Sequence, residues 1–382
     1  LELVTTLLTV AGMGYFVAAW RAARSFLADG DGVRSAFAPA VSILKSLKGL
    51  DPGMLDAFRS HCRQEYEGEY EMLFGVSALD DPAVTAVEQL QREFPDLPIR
   101  LVECPERLGS NGKVSTLVQL ARHAQHAFLL INDSDITVSP RYLERVMRCF
   151  DAANSGPQVG LVTALYRGRP HGTLPSRLEA LGIATDFQAG VLLSKKIEGG
   201  LSYGLGSTLA VRREALAKIG GLEVLVEQLA DDYELGARIF QAGYRVELSA
   251  EVVETGVPAY GWRGFIDHQL RWARTVRDAR PWGYVGLIFT HGLAWAIVNT
   301  LVCGLSPLSL ALLGASCFLR IWLAMTVGVE VLGDDRVLGS LWLLPLRDSL
   351  HLGVWATGFA GNTIVWRGER FSLKNGRLYK AE

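Results

Sequence analysis

Phe128-Leu129-Leu130-Ile131, followed at once by Asn132-Asp133-Ser134-Asp135, reads as a buried strand ending in two carboxylates one residue apart. Open α/β sheets bind ligands outside the carboxyl ends of their strands. Two hard oxygen ligands, with the other positions left to water and a diphosphate, suit Mg²⁺ or Mn²⁺ holding a nucleotide. Short acidic pairs are also common in surface loops, so the weight of this reading rests on its neighbours.

Working outward, strand and helix signals alternate. Val41 to Leu44 reads as a strand, Gly53 to Gln64 as a helix and Glu71 to Val76 as a strand. Pro82 to Phe94 reads as a helix with Pro in its first turn, Ile99 to Val102 as a strand and Val114 to Ala124 as a helix. Ser139-Pro140 opens the next helix, and Val159 to Ala164 is a further strand. The alternation predicts an α/β fold with a mostly parallel, Rossmann-like sheet covered by helices on both faces. Ser176 to Phe187 then reads as helical, and Gly199, Gly200, Gly204 and Gly206 mark a turn-rich stretch. Asp231-Asp232 opens a helix to Ala242, and Gly261 to Val276 is a basic helix.

The 382-residue chain is 49% hydrophobic, with a formal charge of −2. Its apolar residues concentrate at the two ends. No charged residue occurs from Leu3 to Trp20, and Arg21 and Arg24 follow immediately. A run of about 18 apolar residues is at the lower edge of a spanning helix. Positive charge after the run, rather than before it, predicts a retained anchor with cytoplasmic flanking residues, not a cleaved leader. Tyr284 to Gly304 and Ser306 to Val329 are long enough to span, the latter interrupted by Arg320. Leu338 to Trp366 carries Pro345, Arg347, Asp348 and His351 and reads as a re-entrant or interfacial segment. The basic tail (Arg367, Arg370, Lys374, Arg377, Lys380) places the C-terminus in the cytoplasm, which two late crossings satisfy. The expected organisation is an anchor over 1–24, a catalytic domain over 39–280, a membrane region over 284–366 and a tail over 367–382. Five cysteines without metal-ligand spacing read as reduced packing thiols, and no basic patch points to nucleic acid.

Four features join the acidic pair. Asp80-Asp81-Pro82 sits where a strand gives way to a helix, and a cap explains it as well as a ligand contact does. Gly109-Ser110-Asn111-Gly112-Lys113 brings a lysine to a helix start without P-loop spacing. Asp231-Asp232 puts two carboxylates at a helix N-terminus, favourable for the dipole and suited to a general base. His268-Gln269-Leu270-Arg271-Trp272 lies on the basic helix, where Arg271 suits bidentate phosphate contact. The following Arg274 and Arg277 read as a face for anionic lipid headgroups.

In this order, Asp81, Asp133-x-Asp135, Asp232 and x-x-x-Arg271-Trp272 resemble the D, D, D, (Q/R)xxRW pattern of membrane-bound glycosyltransferases of the GT-A fold. The chain is most similar to the ceramide glucosyltransferase-like group, through Val41-Ser-Ile-Leu-Lys45 with Lys48-Gly49, Asp80-Asp-Pro-Ala83 and Asn111-Gly-Lys113. Leu161 to Arg169, Ala230 to Gly236 and Arg271 to Thr275 look more like the bacterial hopanoid-associated branch. His268 departs from the usual Gln or Arg, and Ser46 from a common Pro. The resemblance implies a UDP-sugar contacted by Asp81, Lys113, Asp133, Arg271 and Trp272. It also implies Mg²⁺ or Mn²⁺ on Asp135 and Asp133, and Asp232 as the base. Asp231, His268 and Gln269 would line the acceptor and diphosphate region. The implied reaction is inverting transfer of a sugar, with N-acetylglucosamine favoured, to a hopanoid hydroxyl at the bacterial inner (cytoplasmic) membrane. The alternative is glucosylation of ceramide. Further alternatives are a polysaccharide synthase and a non-catalytic, membrane-anchored nucleotide-sugar binder.

Overall fold

The computed structural model describes residues 1–30, 36–151, 157–366, 369–374 and 376–380. The chain forms two compact units. A strand-rich unit comprises Asp31–Tyr166 and Glu198–Gly256; a helical unit comprises Leu1–Gly30, Arg167–Ile197 and Val257–Glu382.

Along the chain come α1 (Glu2–Asp29), β1 (Val41–Ser46), α2 (Met54–Cys62), β2 (Tyr70–Val76), α3 (Ala83–Glu93), β3 (Ile99–Glu103), α4 (Gly112–His123) and β4 (Phe128–Ile131). Next are α5 (Tyr142–Met147), β5 (Val159–Pro170), α6 (Leu174–Gly182), α7 (Gln188–Glu198), β6 (Leu209–Arg212) and α8 (Arg213–Lys218). Then follow α9 (Asp231–Gln241), β7 (Arg245–Val257), α10 (Trp262–Ala279), α11 (Pro281–Gly286), α12 (Gly292–Val302), α13 (Pro307–Ala324) and α14 (Leu344–Gly358). The chain closes with β8 (Thr363–Trp366), β9 (Glu369–Lys374) and β10 (Arg377–Lys380).

The main sheet has the strand order β3-β2-β1-β4-β6-β5-β7. β1 pairs in parallel with β2 and β4, and β2 with β3; Val41 lies opposite both Tyr70 and Phe128. Beyond β4 the expectation of a mostly parallel sheet needs correction. β6 runs antiparallel to β4, and β5 antiparallel to β6, so the sheet is mixed. An antiparallel neighbour needs no crossover helix, and the four-residue β6 emerges directly from the glycine-rich stretch that masked it. Ile43, Met72, Phe74 and Leu130 are wholly buried, with Phe58, Val87 and Leu90 of the helices in the same core. Cover on both faces is why these strands read as continuous apolar runs. Strand order reverses between β1 and β4, which makes their carboxyl ends the topological switch point. Among the described residues no disulfide forms.

In the helical unit, α1 and the segment Pro307–Val331 are each long and apolar enough to cross a membrane. Pro281–Thr290 and Gly292–Val302 meet that test only as a pair bent by 58°, giving two spans, or three if the pair is one. The Tyr284 to Gly304 run, read as one span, is therefore broken, and His291 stands at the break. Of the expected basic tail, Arg367 lies outside the described residues, while Arg370, Lys374 and Arg377 belong to the antiparallel sheet β10-β9-β8. Arg274 and Arg277, read as lipid-facing, have another task. Arg274 donates to the carbonyls of Thr363 and Ala360, and Arg277 to those of Gly358 and Gly361 and to the Asn362 side chain. The turn carbonyls after α14 lack helix partners, and the two guanidiniums supply the missing donors.

α1 approaches α12 at backbone distance. A Cβ on Gly12 would lie 2.2 Å from Gly292 Cα, whereas one on Gly14 would meet nothing within 4 Å. Small residues permit such approach between apolar helices. Gly12→Ala is expected to destabilise the protein by about 1–3 kcal/mol through overpacking. Gly14→Ala should leave the thermal midpoint in detergent equal or higher. Equal midpoints for the two variants would sink this account of the contact.

Candidate active site

The switch point gathers the acidic residues. Under the loop after β4, the fully buried Lys45 of β1 donates to Asn132 Oδ1 at 2.7 Å and to the Asp133 carbonyl at 3.0 Å. Burial pushes its ammonium down to about 7, against the pull of Asp135 and Asp133. Asn132 is also bonded to His61 at 3.0 Å and to the Tyr142 hydroxyl at 3.2 Å, and that hydroxyl meets Thr208 at 3.0 Å. Thr163 continues the network, donating to the Thr208 carbonyl at 2.8 Å and accepting the Leu205 N–H at 2.9 Å. The backbone that presents Asp133 and Asp135 is thus held by buried polar groups that have partners, the condition for their burial. The reading from sequence had assigned Lys45, Asn132, His61 and Thr163 to no site. A lysine inside the apolar run of β1 is the signal that the sequence offers for finding Lys45.

Asp135 is half-buried. Its Oδ2 accepts the Thr255 hydroxyl at 2.6 Å and the Gly256 N–H at 2.9 Å. Burial and the neighbouring Asp133 raise its pKa, while these two bonds oppose the rise. Between the carboxylates Ser134 donates to Asp51 at 2.6 Å. Among the described residues no cluster of three or more His, Cys, Asp or Glu forms a ready metal site. The pair expected from sequence, Asp133 and Asp135, would fit a hard cation that keeps water and diphosphate oxygens as its other ligands.

Lys113 lies where the loop after β3 enters α4. Asn111 caps that helix, accepting from Val114 N–H at 3.1 Å, and its amide donates to the Gln228 carbonyl at 2.8 Å. The Asn111 N–H donates to the Val226 carbonyl at 2.8 Å, so the 109–113 loop lies along the segment leading into α9. Lys113 Nζ then stands 2.8 Å from Asp133 Oδ1 and 3.4 Å from Asp231 Oδ2. Burial would lower its pKa, but Asp133 and Asp231 outweigh burial and hold it well above the usual ammonium value. Lys113, which the resemblance places against the UDP-sugar, thus lies between two carboxylates at the switch point.

Asp232 opens α9 and accepts the N–H groups of Gly206 and Tyr233, each at 2.8 Å. Burial, then repulsion from Asp231, pushes its carboxyl up to about 6, although Lys113 and the Tyr233 N–H resist. The helix reaches the glycine-rich loop because both surfaces lack side chains. A Cβ on Gly236 would lie 2.2 Å from Gly204 N, and one on Gly204 2.9 Å from the Asp232 carbonyl. Asp81 is engaged differently. Its carboxylate accepts the Gly49 N–H at 2.9 and 3.1 Å and the Ala83 N–H at 2.8 Å. It both caps α3 and draws the Lys48-Gly49 loop to the end of β2.

His268, Gln269, Arg271 and Trp272 belong to α10 in the helical unit. There the buried Glu179 of α6 faces His268 Nδ1 at 3.0 Å and accepts from Gln269 Nε2 at 3.2 Å. The Tyr260 hydroxyl lies 3.2 Å from the same imidazole nitrogen. The His268 ring packs on Trp272, centroids 4.8 Å apart, and Trp272 reaches Phe187 at 6.4 Å. Glu179 has no counterpart in the sequence reading, because a lone glutamate in a helix carries no motif. Its structural task is to hold the imidazole that stands at the variant motif position.

Residues 4–379 match the family described as Glycosyl transferase family 21. Ceramide glucosyltransferase 3 of Caenorhabditis elegans is 25% identical over 236 residues, 62% of this chain and 50% of that one. Ceramide glucosyltransferase 1 of the same organism is 24% identical over 211 residues, 55% of this chain and 44% of that one. The chain thus spans about half the length of these curated relatives. Among solved structures, a mannosyltransferase from Pyrobaculum calidifontis, in complex with GDP-Man and Mn2+, superposes with a TM-score of 0.53 at 20% identity. It covers 94% of this chain and 99% of its own, a likeness of fold. With the match running nearly end to end, the chain belongs to glycosyl transferase family 21.

Proposed function

We propose that this chain is a GT-A glycosyltransferase that moves glucose from UDP-glucose to the hydroxyl of ceramide, inverting the anomeric centre. The observation that carries the reading is the convergence of Asp133, Lys113 and Asp231 beside Asp232, at the sheet edge where α/β folds bind ligands. The relatives named above favour ceramide and glucose. Hopanoid and N-acetylglucosamine, placed first from sequence resemblance, have no such support and move to second. The strand-rich unit would face the cytoplasm, with the apolar helices holding it at a membrane.

Asp232 supplies the base. Its two backbone donors fix the carboxylate, and a pKa of about 6 leaves it ionised yet proton-accepting near neutrality. It takes the hydroxyl proton as that oxygen attacks the anomeric carbon and the UDP oxygen departs on the opposite side. Asp133 and Asp135 would hold Mg²⁺ or Mn²⁺, which when bound neutralises charge on the leaving diphosphate. Lys113 balances Asp133 and Asp231 and so keeps Asp232 ionisable. Asp81 shapes the loop after β1, where it would meet the nucleoside. Within the helical unit Trp272 is packed on the His268 ring that Glu179 holds, and the motif is the ground for proposing Arg271 and Trp272 as substrate contacts.

Lipid products resolved by mass spectrometry test the reading. UDP-glucose and ceramide should give a hexosylceramide, and hexosamine on a hopanoid instead would return the reading to the second acceptor. Asp232→Asn should lower turnover by about 10²–10⁴; full turnover would remove the base. As the base must be ionised, kcat/KM should fall about tenfold per pH unit below pH 6 and level off above it. Lys113→Met, which withdraws a charge favouring ionised Asp232, should move that limb to higher pH. An unmoved limb would place the lysine elsewhere in the mechanism. Glu179→Ala, which removes the acceptor of both His268 and Gln269, should cost about tenfold or more in kcat, while His268→Gln retains activity because Gln also donates to Glu179.

A further inference from the structure

Within the helical unit, α13, α14 and the π turn at Ile183–Phe187 bring six ionisable or polar side chains together. Half of them form a closed brace. Arg320, 2% exposed, donates to both oxygens of Asp348 at 2.7 and 3.1 Å. It also donates to the carbonyl and hydroxyl of Thr185, each at 3.1 Å. A charge in an apolar helix is tolerated when paired in this way.

The other half is open. Arg347 donates to Asp186 at 2.8 Å and lies 3.2 Å from His351 Nδ1, which is itself 3.1 Å from Asp186. The side chains of His351 and Asp186 remain 26% and 16% exposed. His291 faces this group, its ring centroid 5.0 Å from that of His351. Only 4% exposed, it finds no partner for Nε2 among the described residues. It stands at the break between Pro281–Thr290 and Gly292–Val302, and no side chain caps the N–H groups that open α12. A buried polar atom without a partner costs about 1–3 kcal/mol, so its presence beside an accessible carboxylate calls for a ligand.

Charge and surroundings say which kind. Arg320 and Arg347 balance Asp186 and Asp348, so the group offers no net attraction for a phosphate. Asp186 accepts, Arg347 donates and an imidazole nitrogen does either, which matches a head bearing both hydroxyl and amide groups. Phe289, two residues before His291, and Leu346, next to Arg347, are 51% and 42% exposed, apolar surface of the kind the tail of such a molecule needs. We propose that His291, His351, Asp186 and Arg347 form the binding site for the uncharged, hydroxyl- and amide-bearing head of a membrane lipid. The assignment of that lipid as the acceptor rests on the reading given under Proposed function.

The test uses the full chain in nanodiscs with a photoactivatable ceramide analogue, its attachment points mapped by peptide mass spectrometry. Attachment is expected within 287–302 and 342–358, competed by unlabelled ceramide and not by phosphatidic acid. His291→Leu, which keeps bulk and removes the nitrogen, should raise the half-saturating ceramide concentration about tenfold with the UDP-sugar KM unchanged. His291→Gln should restore it, and answers the question if the leucine variant does not fold. Unchanged labelling in His291→Leu, equal competition by phosphatidic acid, or a parallel rise in donor KM would overturn the site. Labelling that depends on His291 in a chain that glycosylates no lipid would retain the site and refute the transferase reading. Ceramide transfer with an unaltered acceptor KM in the leucine variant would do the reverse.

Discussion

Charge balance at the end of β4 governs this protein. Asp133, Asp135, Asp231 and Asp232 gather on one sheet edge, and repulsion among partly buried carboxylates would drive that edge apart. Two lysines from distant points in the chain offset it. Lys113 bridges Asp133 and Asp231 from the side, and Lys45 holds the β4 loop from beneath. The loop of 109–113, the glycine contact of α9 with residues 203–206 and the buried network from Asn132 to Thr163 all serve to bring those charges into register. In the proposed reaction the same arrangement matters to Asp232, since a carboxylate raised by its neighbours is a better base than one alone in water.

Much of this was legible. Apolar runs ending in Asp placed β2 and β4, and the alternation of strand and helix gave the parallel half of the sheet, because buried parallel strands need no polar alternation. The antiparallel half was not legible. Leu209–Arg212 is too short for a period, and its pairing with β4 depends on a contact about 80 residues away in sequence. Asp81 reads from sequence as a helix cap or a ligand contact, and its bond to the Gly49 N–H is what the sequence does not show. Lys113 was recognised as a cation near the site, but whether it meets phosphate or carboxylate is a question of distance. Glu179 is not legible because a single charged residue in a helix signals nothing until its burial is known, whereas Lys45 at least stands out inside an apolar strand.

The helical unit shows the same limit from the other side. Hydropathy found its long apolar runs but could not see that one breaks at His291, since a histidine lowers a window average only slightly. Arg274 and Arg277 have the composition of a lipid-facing surface and the geometry of a clamp on the C-terminal turn. Arg320, which looked like an interruption of a span, is the residue around which Asp348 and Thr185 are organised.

The backbone contact between Gly12 and Gly292 has a bearing on biosynthesis. α1 leaves the ribosome before α12, and the surface that fills its groove is made about 280 residues later. At some 5–20 residues per second, the helix waits tens of seconds without its partner. A helix with its backbone hydrogen bonds satisfied internally survives such a wait in a bilayer. Docking of α1 on α12 is then a late event, set by the timescale of translation rather than of local folding.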